Sequence, residues 1–257
     1  MLAPRWATVT AAAAPIPVAE PVTIATLPAK SPGFTLAILP VRSLQSYRVE
    51  MNSQPPHHSA VKIEAADASE RNRIVLIRHG QPAIPVSPRT CHKGFRDYID
   101  AYEEAGLDPE SAPPEEVQDL VAELAAVFTS DRKRAHDSAK ALAPHAEVIV
   151  DPLFVEAPLA SPRIPLLRMR VPKWAVVARV LWHAGYHPQI ENYRKVKQRA
   201  VRAADILQRR AQSDRAVALI AHGYFNYLIG LELRRRGFRK AGVHRARFWN
   251  AVIYDRN

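Results

Sequence analysis

The sequence predicts an α/β fold, a three-layer sandwich whose mostly parallel central sheet carries helices on both faces. Strand-like and helix-like patterns alternate through residues 71–257, as in folds built around a parallel sheet. Two apolar runs, residues 74–77 and 216–221, have the composition of strands that are buried on both faces. Each run leads into a His-Gly pair, at positions 79–80 and 222–223, and such strand ends are where open α/β sheets bind ligands.

Residues 1–70 are predicted to form a separate, low-complexity extension that is disordered. Nine of the 22 prolines lie there, among Ala, Thr, Ser and Val with no sustained period, so the segment offers no pattern for a packed core. Its beginning resembles a signal peptide only weakly, because Pro15 and Pro17 interrupt the apolar stretch. We therefore expect a cytoplasmic protein, with a targeting segment or a translation start at Met51 as the alternative interpretations.

The predicted domain, residues 71–257, has a composition that favours anionic partners. The formal net charge is +11 at pH 7, and the extension contains five basic and five acidic residues. The remaining 31 basic and 20 acidic residues lie in the domain, which suits phosphorylated metabolites, acidic lipid or nucleic acid, or simply a solubilising surface. Cys91 is the only cysteine, which excludes an internal disulfide and a cysteine metal cluster. No apolar run has the length that a membrane-spanning helix needs.

After the first strand, the sequence predicts a polar loop and two helices. The loop, residues 81–93, contains three prolines and follows a strand end, where binding groups are common. Helical patterns cover residues 95–104 and 114–126. In the second helix Pro114 suits the first turn, and one apolar stripe is formed by Val117, Leu120, Val121 and Leu124.

The second strand, residues 127–130, leads into a helix that is predicted over residues 131–142. Ser130 or Asp131 can serve as the N-cap of this helix. Arg134 then lies in the first helical turn, where free backbone N–H groups and the helix dipole attract anions. A third strand end is therefore expected to carry a cation.

Two short extended runs are predicted next, at residues 147–150 and 153–155, and the second leads directly into Glu156. Residues 158–172 are rich in proline and arginine and are predicted to be an irregular basic excursion. A helix over residues 173–184 follows, and its apolar face is expected to pack in the core, with a membrane surface as the alternative. That face consists of Trp174, Val177, Val180, Leu181 and Ala184.

The rest of the domain repeats the alternation of helix and strand. A long basic helix with a stripe of small apolar residues is predicted over residues 189–211. Residues 215–221 form the second strand that ends in His-Gly, and residues 224–236 form the helix behind it. Residues 247–254 are predicted to be the last strand.

The predicted strand ends bring together Arg78, Arg134 and two histidines, His79 and His222. Two guanidiniums and one imidazole can bind the oxygens of a phosphoryl group, because the arginine fork matches phosphate geometry. The remaining histidine can attack phosphorus and carry the group, provided that it is unprotonated, which flanking arginines favour. A carboxylic acid opposite the nucleophile would protonate the leaving group, and water would complete hydrolysis. Since the cations supply the positive charge, this chemistry requires neither a metal nor a cofactor.

Four segments, in order along the chain, resemble the motifs of the histidine phosphatase superfamily, which has the phosphoglycerate-mutase-like fold. They are Arg78-His79-Gly80, the stretch from Thr129 to Ala139, Leu153-Phe154-Val155-Glu156 and Ile220-Ala221-His222-Gly223. The resemblance implies that His79 is the nucleophile and that Glu156 is the proton donor. It also implies that Arg78, Arg134 and His222 bind the phosphoryl group.

The resemblance implies a metal-independent phosphatase that acts on a small anionic phosphomonoester. Residues 158–173 are expected to form part of a lid that selects additional negative charge. The sequence departs from the family after Glu156, where Ala157-Pro158-Leu159 stands in place of a stretch with glycine and tryptophan. The alternatives are a phosphoryl mutase or, because of this departure, an inactive protein on the same fold that binds RNA or acidic lipid, although no motif supports either ligand.

Overall fold

The structure of the protein, a computed structural model, describes residues 71–85 and 89–257, so the predicted extension at residues 1–70 lies outside it. The strands in this part of the chain are β1 (Asn72–Arg78), β2 (Ala126–Thr129), β3 (Glu147–Val150), β4 (Ala216–Ala221), β5 (Arg239–Ala241) and β6 (Ala251–Arg256). The helices are α1 (His92–Glu104), α2 (Glu115–Asp119), α3 (Lys133–Leu142), α4 (Val171–His183), α5 (Tyr193–Asp214) and α6 (Gly223–Arg235).

The strands form one mostly parallel sheet in the order β3-β2-β4-β1-β6-β5. The four strands β1 to β4 run parallel to one another, whereas β6 runs antiparallel to β1 and pairs with β5 at the edge. β1 and β4 lie in the middle of the sheet, and their apolar residues are almost completely buried, as the continuous apolar runs predict. The carboxyl ends of the parallel strands therefore meet at one edge of the sheet.

Helices cover both faces of this sheet, which confirms the predicted three-layer sandwich. Alternate residues of a strand point to opposite faces. On one face Ile74 and Leu76 of β1 pack with α5 and α6. On the other face Val75 and Ile77 pack with α2 and α3. The long helix α5 contributes the small apolar residues that the sequence predicted, and these let it lie close to the strands.

A third hydrophobic cluster joins α1, α4 and the irregular segment that precedes α4. We call α1, residues 158–170 and α4 the cap. Phe95 of α1 stacks on Trp174 of α4 with ring centroids 5.8 Å apart, and the Trp174 indole donates to the carbonyl of Thr90. A bridge between Thr90 and Met169 ties the basic excursion to the chain just before α1. The cap thus has a core of its own.

Two predicted elements are shorter or different in the structure. The helix predicted over residues 114–126 ends at Asp119, because Val121 and Leu124 donate to carbonyls only three residues back and tight turns replace the helix. The run predicted as extended at residues 153–155 is wrong, since Pro152–Phe154 forms a 3₁₀ turn. Its N-cap Asp151 accepts the backbone N–H of Leu153, which an extended chain would not allow.

The last strand begins later than the predicted residue 247, at Ala251, because Trp249 has a φ of 57° and breaks the extended backbone. β5 is not predicted at all, since its three residues are exposed and show no apolar alternation.

The buried face of α4 also differs from the prediction. Val171, Trp174, Ala178 and Trp182 are buried, whereas Val180 is 50% exposed. The two tryptophans are the largest apolar side chains of the helix, and they set the face that packs inward. No helix in the described part of the chain has the length and hydropathy needed to span a membrane.

Candidate active site

The parallel register of the sheet places the two histidines side by side. Arg78, the last residue of β1, pairs with Ala221, the last residue of β4, so His79 and His222 leave adjacent strands at the same level. Their ring centroids lie 5.2 Å apart in an edge-to-face arrangement. Each side chain is only 1% exposed. The two strand ends therefore form one buried polar pocket.

The backbone fixes the tautomer of His79. Its Nδ1 atom lies 2.7 Å from the carbonyl oxygen of Gly80, and a carbonyl can only accept a hydrogen bond. Nδ1 therefore carries the proton of the neutral ring, and Nε2 carries a lone pair. Burial, with the guanidiniums of Arg78 and Arg134, holds the pKa of His79 well below its usual range. Nε2 is thus unprotonated and keeps its lone pair, as a nucleophile must.

Ser130 orients the second histidine. Its hydroxyl oxygen lies 2.8 Å from Nε2 of His222 and also accepts the backbone N–H of Arg132 at 3.4 Å. Burial, the adjacent His79 ring and the nearby arginines hold the pKa of His222 well below its usual range, so this ring is neutral as well. The hydroxyl either donates to Nε2 or accepts from it, according to which ring nitrogen carries the proton. Within the described residues, Nδ1 of His222 is buried without a hydrogen-bond partner.

Arg78 is held at the pocket by an aromatic ring. Its guanidinium lies 4.6 Å from the centroid of Phe248 and donates to the carbonyl of Ala246. The Phe248 ring is also 5.8 Å from the ring of His79. Nε of Arg78 is buried and has no hydrogen-bond partner in the part of the chain that the structure describes.

Arg134 lies in the first turn of α3, as predicted, and is fully buried. Its Nη1 atom donates to the carbonyl of Tyr102 at 2.6 Å, and the guanidinium lies 4.5 Å from the centroid of the Tyr102 ring. Nε of Arg134 is buried without a partner among the described residues. The N-cap of α3 is Arg132, not the predicted Ser130 or Asp131, because the Ser130 side chain turns toward His222 instead.

Glu156 lies at the N-terminus of α6, next to His222 but in a different role from the four residues above. Its carboxylate accepts the backbone N–H groups of Phe225 at 2.8 Å and Tyr224 at 3.2 Å, and also that of Ala157 at 2.9 Å. Two of these are orphan donors of the first turn of α6, so the carboxylate caps that helix. No hydrogen bond between described residues joins it to His79, Arg78 or Arg134.

Sequence reasoning missed several residues that shape the pocket. Ser138, one helical turn after Arg134, donates to the Arg134 carbonyl at 2.6 Å and accepts the backbone N–H of Gly80 at 2.9 Å. Its i,i+4 spacing from Arg134 was the available signal. Tyr102 and Phe248 come from loops and a helix end far away in sequence, where no pattern marks them.

Gly80 is required for packing beside the pocket. A Cβ atom at this position would lie 2.4 Å from the Trp249 side chain and 2.5 Å from that of Leu107. The groups that approach this glycine are two side chains of the protein itself. Gly80 therefore lets the two segments after β1 and before β6 close around His79.

Among the described residues, no three side chains of His, Cys, Asp or Glu are grouped so that they could hold a metal ion. The positive charge in the pocket comes from Arg78 and Arg134.

Comparison with known proteins gives one family match. A model described as the histidine phosphatase superfamily (branch 1) matches residues 74–247, which is more than half of the chain. The match covers all five predicted site residues. No curated protein sequence matches the chain.

Solved structures with similar folds are distant. An open reading frame product from Mycobacterium tuberculosis is 20% identical, with 70% of this chain and 89% of that chain covered and a TM-score of 0.45. A mycobacterial glucosyl-3-phosphoglycerate phosphatase is 21% identical, with coverages of 64% and 80% and a TM-score of 0.41. A phosphoserine phosphatase from Entamoeba histolytica is 13% identical, with coverages of 70% and 89% and a TM-score of 0.43. The family assignment rests on the family model and not on these neighbours.

Proposed function

The chain belongs to the histidine phosphatase superfamily, and from this premise we propose that it is a phosphatase that hydrolyses a small phosphomonoester through a phosphohistidine intermediate. In this proposal His79 is the nucleophile, and Arg78, Arg134 and His222 bind the phosphoryl group. Glu156 is the proton donor. The reaction is a phosphoric monoester hydrolysis that uses no cofactor.

One observation carries the proposal: three buried nitrogens without hydrogen-bond partners, two of them arginine N–H groups, lie on the residues around the unprotonated Nε2 of His79. They are Nε of Arg78, Nε of Arg134 and Nδ1 of His222. Buried polar groups in proteins almost always have a hydrogen-bond partner, so three such nitrogens in one pocket suit the oxygens of a bound anion. Phosphate offers three such oxygens to donors that approach from different sides.

The first half of the reaction transfers the phosphoryl group to the protein. Nε2 of His79 attacks phosphorus, the N–P bond forms, and the bond between phosphorus and the ester oxygen breaks. The electron pair of that bond stays with the leaving oxygen, which takes a proton from Glu156. The two guanidiniums stabilise the charge on the three remaining oxygens as the transition state develops. The Gly80 carbonyl stabilises the positive charge that the His79 ring acquires, because it accepts from Nδ1.

The second half returns His79 to its starting state. Glu156, now a carboxylate, takes a proton from water as the water oxygen attacks phosphorus. The N–P bond breaks, its electron pair returns to Nε2, and phosphate leaves. Each cycle therefore consumes one water and restores the proton on Glu156.

The three backbone N–H groups that bind Glu156 bear on its proposed role as proton donor. A carboxyl group that donates its proton must tolerate both charge states at the N-terminus of α6, where the dipole favours the anion. The same bonds hold the carboxyl group at the first turn of α6, directly after His222.

The charged residues of the cap restrict where a second anionic group of the substrate can bind. Arg163 of the basic excursion lines a cavity of about 410 Å³ with His92, Lys93, Arg96 and Asp97 at the first turns of α1. Tyr102, whose hydroxyl lies 3.4 Å from Nε2 of His79, is six residues after Arg96 and nine after Lys93, or roughly 9–14 Å along the helix at 1.5 Å per residue. A second anionic group of the substrate would reach these cations only if the substrate is extended.

The experiment is hydrolysis of an aryl phosphate by the purified full chain in the presence of a chelator. We expect turnover by the wild-type protein and its loss in His79→Ala. His145→Ala removes an exposed histidine and serves as the matched control, with wild-type turnover expected. Near-wild-type turnover in His79→Ala would refute the proposal.

A panel of phosphomonoesters with and without an acceptor alcohol separates the alternatives. Transfer of phosphate to the alcohol indicates a phosphoryl mutase. Salt-sensitive binding of RNA or anionic vesicles without any turnover indicates an inactive anion-binding protein.

A further inference from the structure

The last turn of α1 lies against the arginine that is proposed to bind phosphate. Nη1 of Arg134 donates to the carbonyl of Tyr102 at 2.6 Å and to that of Glu103 at 3.3 Å. Nη2 of Arg134 lies 3.4 Å from Oε1 of Glu103. The two terminal nitrogens of the guanidinium therefore already bind oxygens of the protein, and only Nε lacks a partner among the described residues.

These protein oxygens place negative charge on Arg134, as the oxygens of a bound anion would. The last carbonyls of a helix have no partner within the helix, and they lie at the negative end of its dipole. The Glu103 carboxylate adds a full negative charge at the same end, where its own helix disfavours it. Arg134, together with Arg132 at 3.1 Å from Oε2, compensates this charge.

The same turn also covers the nucleophile. The hydroxyl of Tyr102 lies 3.4 Å from Nε2 of His79, and since that nitrogen carries the lone pair, the hydroxyl donates to it. Arg134 is 0% exposed and His79 is 1% exposed. A phosphoryl group cannot reach either the nitrogen or the terminal atoms of the guanidinium while the turn stays in this position.

We propose that the last turn of α1 is a gate, in which the Glu103 carboxylate occupies Arg134 and must be displaced by the phosphoryl group of the substrate. The inference rests on the proposed function, because Arg134 is the phosphate-binding arginine only in that proposal. Glu103 thereby sets the affinity of the pocket for anions: a ligand binds when its oxygens satisfy Arg134 better than one carboxylate and two carbonyls do.

The construction of the cap allows this movement. α1 packs with α4 in a hydrophobic cluster that contains no residue of the sheet, so the helix can shift without exposing the central strands. Beyond the helix the chain is fixed, because Leu107 donates to Asp137 of α3 and Asp108 donates to the carbonyl of Gln81. Ala105, the extended C-cap residue between these parts, is the hinge.

Binding of orthophosphate to the full chain, measured by calorimetry, tests the gate. We expect Glu103→Gln to bind orthophosphate about tenfold more tightly than the wild type, because it removes the competing charge; tenfold corresponds to about 1.4 kcal/mol. Glu104→Gln, which removes the neighbouring exposed carboxylate, is the matched control and should bind as the wild type does. The gain should persist in an Arg132→Gln background, which shows that it arises at Arg134.

A measurement on the unaltered protein covers the case in which Glu103→Gln does not fold. Saturating orthophosphate should speed amide hydrogen exchange in residues 101–104, because that turn loses its bonds to Arg134. Equal or weaker phosphate binding by Glu103→Gln, no phosphate binding by either protein, or unchanged or slower exchange would overturn the gate. Loss of turnover has no part in these readouts, so wild-type hydrolysis without these changes rejects the gate alone.

Discussion

The two halves of the candidate site are built in different ways. One half consists of residues at the ends of parallel strands, where the backbone register alone brings His79 and His222 together. The other half is the cap, whose Tyr102 reaches the same pocket from a helix that packs in a separate hydrophobic cluster. The strand-end half carries the groups that the proposed chemistry uses. In the gate proposed above, the cap controls which molecules meet them.

This difference shows how a fold can keep the groups of a reaction in place while the access of ligands to them changes. The backbone at the end of a buried strand is fixed by its pairing with the neighbouring strands, so the side chains that leave it start from fixed positions. The cap touches the pocket through polar contacts of one helical turn, which water or a ligand can replace. We therefore expect substitutions in the strand-end half to lower turnover and substitutions in the cap to change ligand affinity.

The largest expected effect is at Arg134, which tests the strand-end half most severely. Arg134→Gln removes a buried charge next to the phosphoryl group and should lower kcat/KM by about 10²- to 10³-fold, or roughly 3–4 kcal/mol. Steady-state kinetics on an aryl phosphate measures this. Arg209→Gln, at an exposed position of α5 away from the site, should change kcat/KM by less than about fivefold, since screened surface charges contribute little. Equal losses in both variants would contradict the assigned difference.

Substitution of Glu156, which lies between the two halves, tests whether this residue donates a proton or only caps helix α6. Glu156→Gln keeps an oxygen that can accept the backbone N–H groups but cannot deliver a proton as an acid does. We expect kcat to fall about 10²-fold on an alkyl phosphate and much less on an aryl phosphate, whose leaving group needs no proton. A ratio of kcat values that is the same for both substrates would leave Glu156 with the helix-capping role alone.

The pH dependence of stability tests whether the cap keeps water from the strand ends. His79 and His222 stay neutral in the folded protein, because burial lowers both pKa values well below 6.5, the ordinary value that the unfolded chain retains. Above pH 6.5 both states are neutral, so these rings contribute no pH dependence. As the pH falls below 6.5, the unfolded chain takes up protons that the folded protein does not. The free energy of unfolding should therefore decrease, by at most about 1.4 kcal/mol per pH unit for each ring.

Denaturant unfolding at about pH 7.5 and about pH 5.5 measures this decrease, and the pH-linkage of buried groups sets its sign. In His79→Asn the decrease should be smaller than in the wild type, whereas the exposed-site variant His145→Asn is the control for the loss of a histidine. A wild-type protein that is equally stable at both pH values would show that the rings protonate in the folded state. The activity should also persist below pH 6.5, since Nε2 of His79 remains bare there.

The smallest effect is expected at Ser130, which orients one ring of the strand-end half. Ser130→Ala removes the hydroxyl that is bound to Nε2 of His222 and leaves the ring without that orienting contact. We expect kcat to fall about tenfold, in line with the loss of one buried hydrogen bond. Ser213→Ala, at an exposed position near the end of α5, is the control and should leave kcat unchanged. A change in KM without a change in kcat would show that Ser130 affects ligand binding, as we expect of the cap, and not turnover.

The sequence predicts the strand-end half because its signals are local. A strand buried on both faces shows as a continuous apolar run in the sequence, and the residues just after it lie at the ligand-binding edge of the sheet. His79, His222 and Arg134 can therefore be identified from their positions after such runs. The cap has no such signal. Tyr102 meets His79 across 23 residues and its carbonyl meets Arg134 across 32, and neither contact depends on a repeating pattern.

Two differences from the prediction have the same origin. The 3₁₀ turn before Glu156 and the turn at Trp249 depend on bonds to neighbouring residues and on packing, not on hydrophobic periodicity. The carboxylate of Glu156 lies near the second His-Gly pair, but two of its three backbone N–H bonds come from α6 and form only once that helix is in place.

Identification of the phosphorylated residue during turnover tests the central claim most directly. The wild-type protein is mixed with an aryl phosphate, quenched rapidly in alkali to preserve phosphohistidine, and mapped by peptide mass spectrometry. The account predicts a phosphoryl group on the ring of His79 in the wild type, and no such label in His79→Ala. Turnover with the label on His222, on another residue, or on none would contradict it.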